Sequence, residues 1–84
     1  MKKTTEKLIA KIDPSKDYSL SEIAKSGLMG AGKTYFVCKT IINDERWQEE
    51  ADRILKAEKR GNSVGTVYYV KGQNLINYLI KADN

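Results

Sequence analysis

The chain contains no histidine and only one cysteine, Cys38, among its 84 residues. Histidine is the commonest general base and the commonest metal ligand, so its absence excludes hydrolases built on a histidine triad and zinc sites of the usual kind. A single cysteine cannot form a disulfide within the chain, which fits a reducing compartment. We therefore expect a protein that is not an enzyme and that holds no metal and no cofactor.

Long apolar runs are also missing. No apolar segment approaches the ~20 residues that a membrane span needs, and no signal-peptide core follows Met1. We therefore expect a cytoplasmic protein without a membrane partner. What is present is the composition of a folded domain, with 40% hydrophobic and 31% charged residues. A chain of this length has room for one modest core, so we expect a single domain over residues 1–84.

The distribution of charge is uneven along the chain. The formal net charge of +4 favours a polyanionic partner. Residues 1–43 contain eight lysines and four acids, and residues 53–71 contain five bases and one acid. Between them, residues 44–52 contain five acids and one arginine. The sequence therefore predicts a nucleic-acid surface that uses the two basic stretches and turns the acidic one away.

Helix signals dominate the first half of the chain. Apolar residues at helical spacing predict a helix over residues 4–12, with Thr4 or Thr5 as its N-cap. Residues 19–22 have the pattern of a capping box, in which a serine hydroxyl and a glutamate carboxylate each bind a backbone amide. This box predicts a second helix, which ends at Gly27.

A third helix is predicted over residues 33–43, after a glycine-rich turn at 28–32. The side chains that we expect it to bury are Phe36, Val37, Thr40 and Ile41. The side chains that we expect to face solvent are Lys33, Tyr35 and Lys39. Cys38 is expected to be a small buried residue.

Residues 44–60 carry two competing patterns. Helical spacing is shown by Trp47, Ala51, Ile54 and Leu55, after a good N-cap at Asp44. Residues 54–59 alternate between apolar and polar side chains, which is typical of a strand. The pattern alone leaves open whether a helix runs through 44–58 or ends in a strand. Trp47 is expected to be a core or interface anchor.

The second half of the chain also contains a strong strand signal. Residues 66–70 are strongly β-forming, follow a turn-rich segment and need a partner strand. We therefore predict a β-hairpin over residues 54–70. A last helix is predicted over residues 74–81, with inward-facing side chains at Leu75, Ile76, Leu79 and Ile80.

Residues 27–34 match the P-loop pattern G-x-x-x-x-G-K-[ST] letter for letter. In a P-loop protein an apolar strand leads into the glycine loop, and several βα units build the sheet. Here an amphipathic helix is predicted before Gly27, and 84 residues cannot supply several such units. We therefore interpret the string as a turn between helices that positions Lys33 and Thr34 for phosphate on DNA, not as a nucleotide site.

Two short helices joined by a glycine-containing turn, then a hairpin, are the parts of a winged helix-turn-helix. Residues 18–25 resemble the first helix of excisionase-like and regulatory helix-turn-helix domains, and residues 57–70 resemble a wing. The whole chain resembles the small winged-helix proteins of staphylococcal cassette chromosome elements. This resemblance implies an α+β winged helix-turn-helix with three to five short helices and a hairpin wing in its C-terminal half. It also implies DNA handling for a mobile genetic element, with single-stranded DNA as ligand and a replication protein of that element as partner.

The predicted nucleic-acid contacts lie at the start and outer face of the third helix and in the wing. Backbone amides and lysines at a helix start can meet phosphate, and an outward wing tyrosine can stack a base. The predicted residues are Lys33, Thr34, Tyr35, Lys39, Lys59, Arg60, Asn62, Ser63, Tyr69 and Lys71.

Two alternative functions stay open at this point. The first is a sequence-specific duplex binder of excisionase or repressor type, although the acidic segment 44–52 would repel duplex phosphates if it faced them. The second is an accessory subunit of a mobile-element polymerase or helicase. Such a subunit would use Trp47, Ile54, the acidic segment and the last helix as its interface.

Overall fold

The computed structural model describes residues 1–48, 54–62 and 64–83. Its elements follow in the order α1 (Lys3–Ala10), β1 (Asp17–Ser19), α2 (Leu20–Ser26), α3 (Tyr35–Ile42), α4 (Glu45–Gln48), β2 (Glu58–Asn62), β3 (Gly65–Lys71) and α5 (Gly72–Asp83). The strands form one antiparallel sheet in the order β1–β3–β2. Over the described ranges the protein is thus a small α+β domain with five helices and a three-stranded sheet.

The first and last helices, α1 and α5, are joined by hydrogen bonds. The predicted N-cap of α1 is wrong, since Lys2 caps the helix without a side-chain hydrogen bond and both threonines lie inside the first turn. The hydroxyl of Thr5 instead donates to Asp83 Oδ1 over 3.1 Å, and the backbone N–H of Lys2 donates to Asp83 Oδ2 over 2.9 Å. One carboxylate therefore binds the start of α1 to the end of α5.

α2 begins and ends as the sequence predicts. The Ser19 hydroxyl accepts a hydrogen bond from the Glu22 backbone N–H at 3.2 Å, which is one half of the capping box. The Glu22 carboxylate accepts from Lys16 Nζ at 2.9 Å, so it pairs with a lysine and not with a backbone amide. Gly27 ends the helix with φ of 66°, a left-handed conformation that glycine adopts without steric cost.

The predicted hairpin is confirmed, but its first strand is shorter than expected. Lys56 has φ of 44°, which is incompatible with an extended strand, so β2 begins only at Glu58. Before it, Ile54 and Leu55 lie in a turn, and Leu55 is fully buried. The predicted helical start of the 44–58 segment corresponds to α4, while Ala51 lies outside the described residues.

The core lies between the helices and the sheet face that carries Tyr18 and Val70. Its fully buried side chains include Leu20, Ile23, Met29, Ile42, Leu55 and Leu75. In α5 the predicted inward residue Ile80 is exposed, and Tyr78 is buried instead, where its ring meets Trp47 edge to face at 4.7 Å. No helix in the described ranges is long and apolar enough to span a membrane.

Candidate nucleic-acid interface

α3 exposes part of the face that the sequence predicts to be buried. Phe36 is 77% exposed and Val37 is 44% exposed, whereas the buried side chains are Cys38 and Ile42. Almost every position of α3 is apolar, so periodicity does not determine which face packs on α2. Tyr35 points outward as expected, with 37% exposure. Cys38 is 1% exposed and belongs to the core, as the sequence predicts, and burial raises the pKa of its thiol.

The first residues of the predicted site are already bound by their own chain. The Thr34 hydroxyl caps α3 by accepting from the Val37 N–H at 3.3 Å. The Lys33 ammonium donates to the Met29 carbonyl oxygen at 2.6 Å, across the glycine-rich turn. The helix α2 precedes this turn, as the sequence predicts. Lys33 and Thr34 therefore hold the turn and the helix start, and one of the three N–H donors of Lys33 is already used within the chain.

Lys39 of α3 and Lys59 of β2 converge on one ring. Their Nζ atoms lie 5.7 Å and 5.6 Å from the centroid of Tyr68, which belongs to β3 and packs against the core. The sheet register places Lys59 directly opposite Tyr68, so both project from the same face. Neither lysine has an ion-pair partner within the described ranges. These three residues, which we call the lysine–tyrosine cluster, join α3 to the hairpin.

The opposite face of the sheet is charge-balanced. The Arg60 guanidinium lies 4.3 Å from the Tyr69 ring centroid and binds Asp17 at 2.9 Å and Glu58 at 3.2 Å. Its hydrogen bonds to Glu58 and then to Asp17 raise the pKa of Arg60. Lys71 lies opposite Asp17 in the register. Two bases and two acids therefore face each other here, and no excess of positive charge results.

The structure thus divides the predicted site between two faces. Lys39 and Lys59 share one face with Tyr68, whereas Arg60, Tyr69 and Lys71 lie on the other. Tyr69 is the outward tyrosine of the pair, as predicted, but its ring is already stacked by Arg60. Of the other predicted wing residues, Asn62 is the last residue of β2, and only its backbone is described. Ser63 lies outside the described residues.

Sequence reasoning missed Tyr68 and Phe36 as surface residues of this site. The sequence carries no decisive signal for Tyr68, because its position opposite Lys59 follows from the strand register, and residues 63–64 lack the Asn-Gly or Asp-Gly pair that marks a two-residue hairpin turn. No signal exists for Phe36 either, because its exposure depends on how α3 rotates against α2.

The chain segment that contains α3 is basic up to Asn43, and the first acid after it, Asp44, lines a groove together with Lys39. From Ile23 to Asn43 the chain contains three lysines, Lys25, Lys33 and Lys39, and no acid. A shallow groove runs from α2 to the start of α3 and is lined by Ser21, Ala24, Lys25, Thr34 and Tyr35. A polyanion could therefore follow α3 without meeting a carboxylate on that segment.

The chain matches no protein-family model, no curated protein and no solved structure.

Proposed function

We propose that the chain is a non-catalytic DNA-binding domain of winged helix-turn-helix type, which binds single-stranded DNA through α3 and the β2–β3 hairpin. The element order supports this fold, because α2 and α3 are joined by a glycine-rich turn and a hairpin follows them. In helix-turn-helix domains the second helix of the pair contacts the DNA. The third strand, β1, pairs with β3 and ties the hairpin to the start of α2.

The observation that carries this proposal is the lysine–tyrosine cluster. Two ammonium groups from different elements lie over one ring, and neither is neutralised within the described ranges. Each ammonium is attracted to the negative face of the ring, and each has three N–H donors with which to bind an anion beside it. The phosphate backbone of DNA supplies such an anion at every nucleotide.

The composition of α3 favours a single strand over a sequence-specific duplex site. Base edges in the major groove are read mainly by arginine, lysine, asparagine and glutamine. Within Tyr35–Ile42 only Lys39 belongs to this group, and it lies over Tyr68. Single strands are instead held by positive charge and aromatic stacking, which need no base-edge contacts.

The biological setting rests on the sequence resemblance alone. That resemblance implies a domain that handles DNA for a mobile genetic element, with a replication protein of the same element as partner. The burial of the Trp47 ring against Tyr78 argues against an accessory role through that residue.

The test is fluorescence anisotropy with matched single- and double-stranded oligonucleotides over a salt series. We expect tighter binding to the single strand, with a log Kd that depends linearly on log salt concentration. Absence of binding to both forms at low salt would contradict the proposal. Preference for duplex with discrimination between sequences would support the excisionase or repressor alternative.

Removing either cluster lysine should weaken binding and flatten its salt dependence. For Lys39→Gln or Lys59→Gln, we expect the slope for single-stranded DNA to fall by about 0.7 for each phosphate that the variant no longer neutralises. The matched control is Lys7→Gln, which removes the same charge from α1, a helix that packs on α5. Equal effects of all three substitutions would show that only total charge matters and would contradict a binding role for the cluster.

A further inference from the structure

Three consecutive apolar side chains are open to solvent in the first turn of α3. They are Tyr35, Phe36 and Val37, and Phe36 is the most exposed aromatic side chain in the described ranges. Single exposed apolar residues are ordinary on protein surfaces, but a run of three on one short helix is not. Such a run indicates a contact surface.

The ring of Phe36 is supported from one side and open on the other. Tyr35 meets it at a centroid distance of 6.1 Å with the ring planes 88° apart, an edge-to-face contact of the kind that aromatic pairs prefer. One turn later, the Thr40 hydroxyl donates to the Phe36 carbonyl oxygen at 2.9 Å. Before any ligand arrives, the Thr40 bond holds the Phe36 backbone in the helix and the Tyr35 ring contacts one side of the Phe36 ring.

The charge around this ring selects the type of ligand. Lys39 follows Phe36 by three residues, which places the two side chains on neighbouring positions of the helix surface. No acid occurs between Ile23 and Asn43, so every ionised side chain of that segment is a lysine. An apolar protein surface would not need these cations, whereas a single-stranded nucleic acid offers both a free base face and a phosphate beside it.

We infer that Phe36 is a stacking platform for one unpaired base, and that Lys39 and Lys59 bind the phosphates next to that base. The inference rests on the proposed function and adds to it the residue that contacts the base. A duplex would not satisfy this surface, because both faces of its bases are already stacked. Stacking on Phe36 is tolerant of sequence, since every base has a π face.

The test compares labelled oligothymidylate with an abasic oligomer of the same length, which has the same phosphates and no bases. Wild-type protein should bind oligothymidylate more tightly. Phe36→Ala should weaken binding to oligothymidylate roughly 5- to 150-fold, the equivalent of about 1–3 kcal/mol at about 1.4 kcal/mol per tenfold. It should leave binding to the abasic oligomer unchanged, and Phe36→Trp should restore the preference for bases.

Ile80→Ala is the matched control, because it removes an exposed apolar side chain from α5, outside α3 and the hairpin, without removing an aromatic face. We expect it to bind both oligomers as the wild type does. Circular dichroism melting of each variant checks that the fold is kept, and the exposure of Phe36 predicts little change.

The outcomes separate this inference from the function on which it rests. If wild-type protein binds neither oligomer at low salt, the proposed function fails and the inference fails with it. If wild-type protein prefers oligothymidylate and Phe36→Ala does the same with equal affinity, only the inference is overturned. The inference is also overturned if Phe36→Ala weakens binding to oligothymidylate and to the abasic oligomer by the same factor. The inference is also overturned if Phe36→Ala loses a self-association that the wild type shows in sedimentation but binds oligothymidylate unchanged. Phe36 would then contact a second copy of the protein and not a base.

Discussion

At the residue scale, the hydroxyl of Tyr18 holds the turn that leads from α1 into the sheet. Its ring is buried, and its oxygen accepts a hydrogen bond from the Asp13 backbone N–H at 2.8 Å. The Asp13 carboxylate in turn accepts from the Ser15 hydroxyl at 2.7 Å and from the Ser15 N–H at 2.9 Å. The turn is therefore fixed from the core side and from the solvent side, and the two sets of hydrogen bonds can be removed separately.

We expect Tyr18→Phe to lower the free energy of unfolding by about 1 kcal/mol, because it keeps the buried ring and removes one hydrogen bond. Urea denaturation followed by circular dichroism measures this. Tyr69→Phe is the control, since the Tyr69 hydroxyl makes no hydrogen bond to another described residue. The substituted ring keeps its contact with Arg60. Equal stability of the Tyr18→Phe variant and the wild type would mean that water replaces the missing acceptor without cost.

At the scale of elements, the packing of α5 on the turn after α1 requires a glycine. The backbone N–H of Gly72 donates to the Lys16 carbonyl oxygen at 2.7 Å, at the point where β3 becomes α5. A Cβ at this position would collide with the carbonyl group of Asp13. The obstructing atoms belong to the backbone, so relief would require one element to move away from the other.

We expect Gly72→Ala to destabilise the fold by about 1–3 kcal/mol, the usual cost of overpacking a closed site. Gly61→Ala in β2 is the matched control, because nothing lies within 4 Å of a Cβ added there. Thermal and urea denaturation of the two variants give the comparison. A Gly72→Ala variant as stable as the Gly61→Ala variant would show that α5 moves away from the turn at no energetic cost.

Elements whose signals are local were predictable, whereas elements defined by distant contacts were not. The serine cap and Gly27 determine α2 within nine residues, and the structure confirms both. β1 has only three residues and exists because Tyr18 pairs with Val70, so nothing in its own sequence predicts it. The ends of α3 could be placed to within two residues, but its buried face could not, because apolar residues occur all around it.

At the scale of the whole molecule, the sheet separates two groups of charged residues that the sequence places side by side. Lys59 and Arg60 are neighbours in β2, but strand alternation sends them to opposite faces. Lys59 then joins Lys39 of α3 over the Tyr68 ring. Arg60 is neutralised by the carboxylates of Asp17 in β1 and Glu58 in β2. Predicting this division would have required the register of all three strands, which only tertiary packing determines.

The hydrogen bonds between the two ends of the chain make stability depend on pH. Those from the Lys2 N–H and the Thr5 hydroxyl hold the pKa of the Asp83 carboxyl below its usual range. A carboxyl whose pKa is lower in the folded state stabilises that state at a pH well above its unfolded pKa of about 3.9. That contribution disappears as the pH falls from about 4 through the lower folded value.

We therefore expect Asp83→Asn to melt at a lower temperature than the wild type at pH 7, and the difference to shrink as the pH falls below about 4. Hydrogen bonds from Ser15 also lower the pKa of Asp13, but that residue is present in both proteins and cancels in the difference. Melting curves by circular dichroism between pH 3 and 7 measure the effect. A difference that stays constant over this range would show that the amide disturbs packing and that no charge-dependent interaction is involved. The closure of α1 on α5 would then not depend on the charge of Asp83.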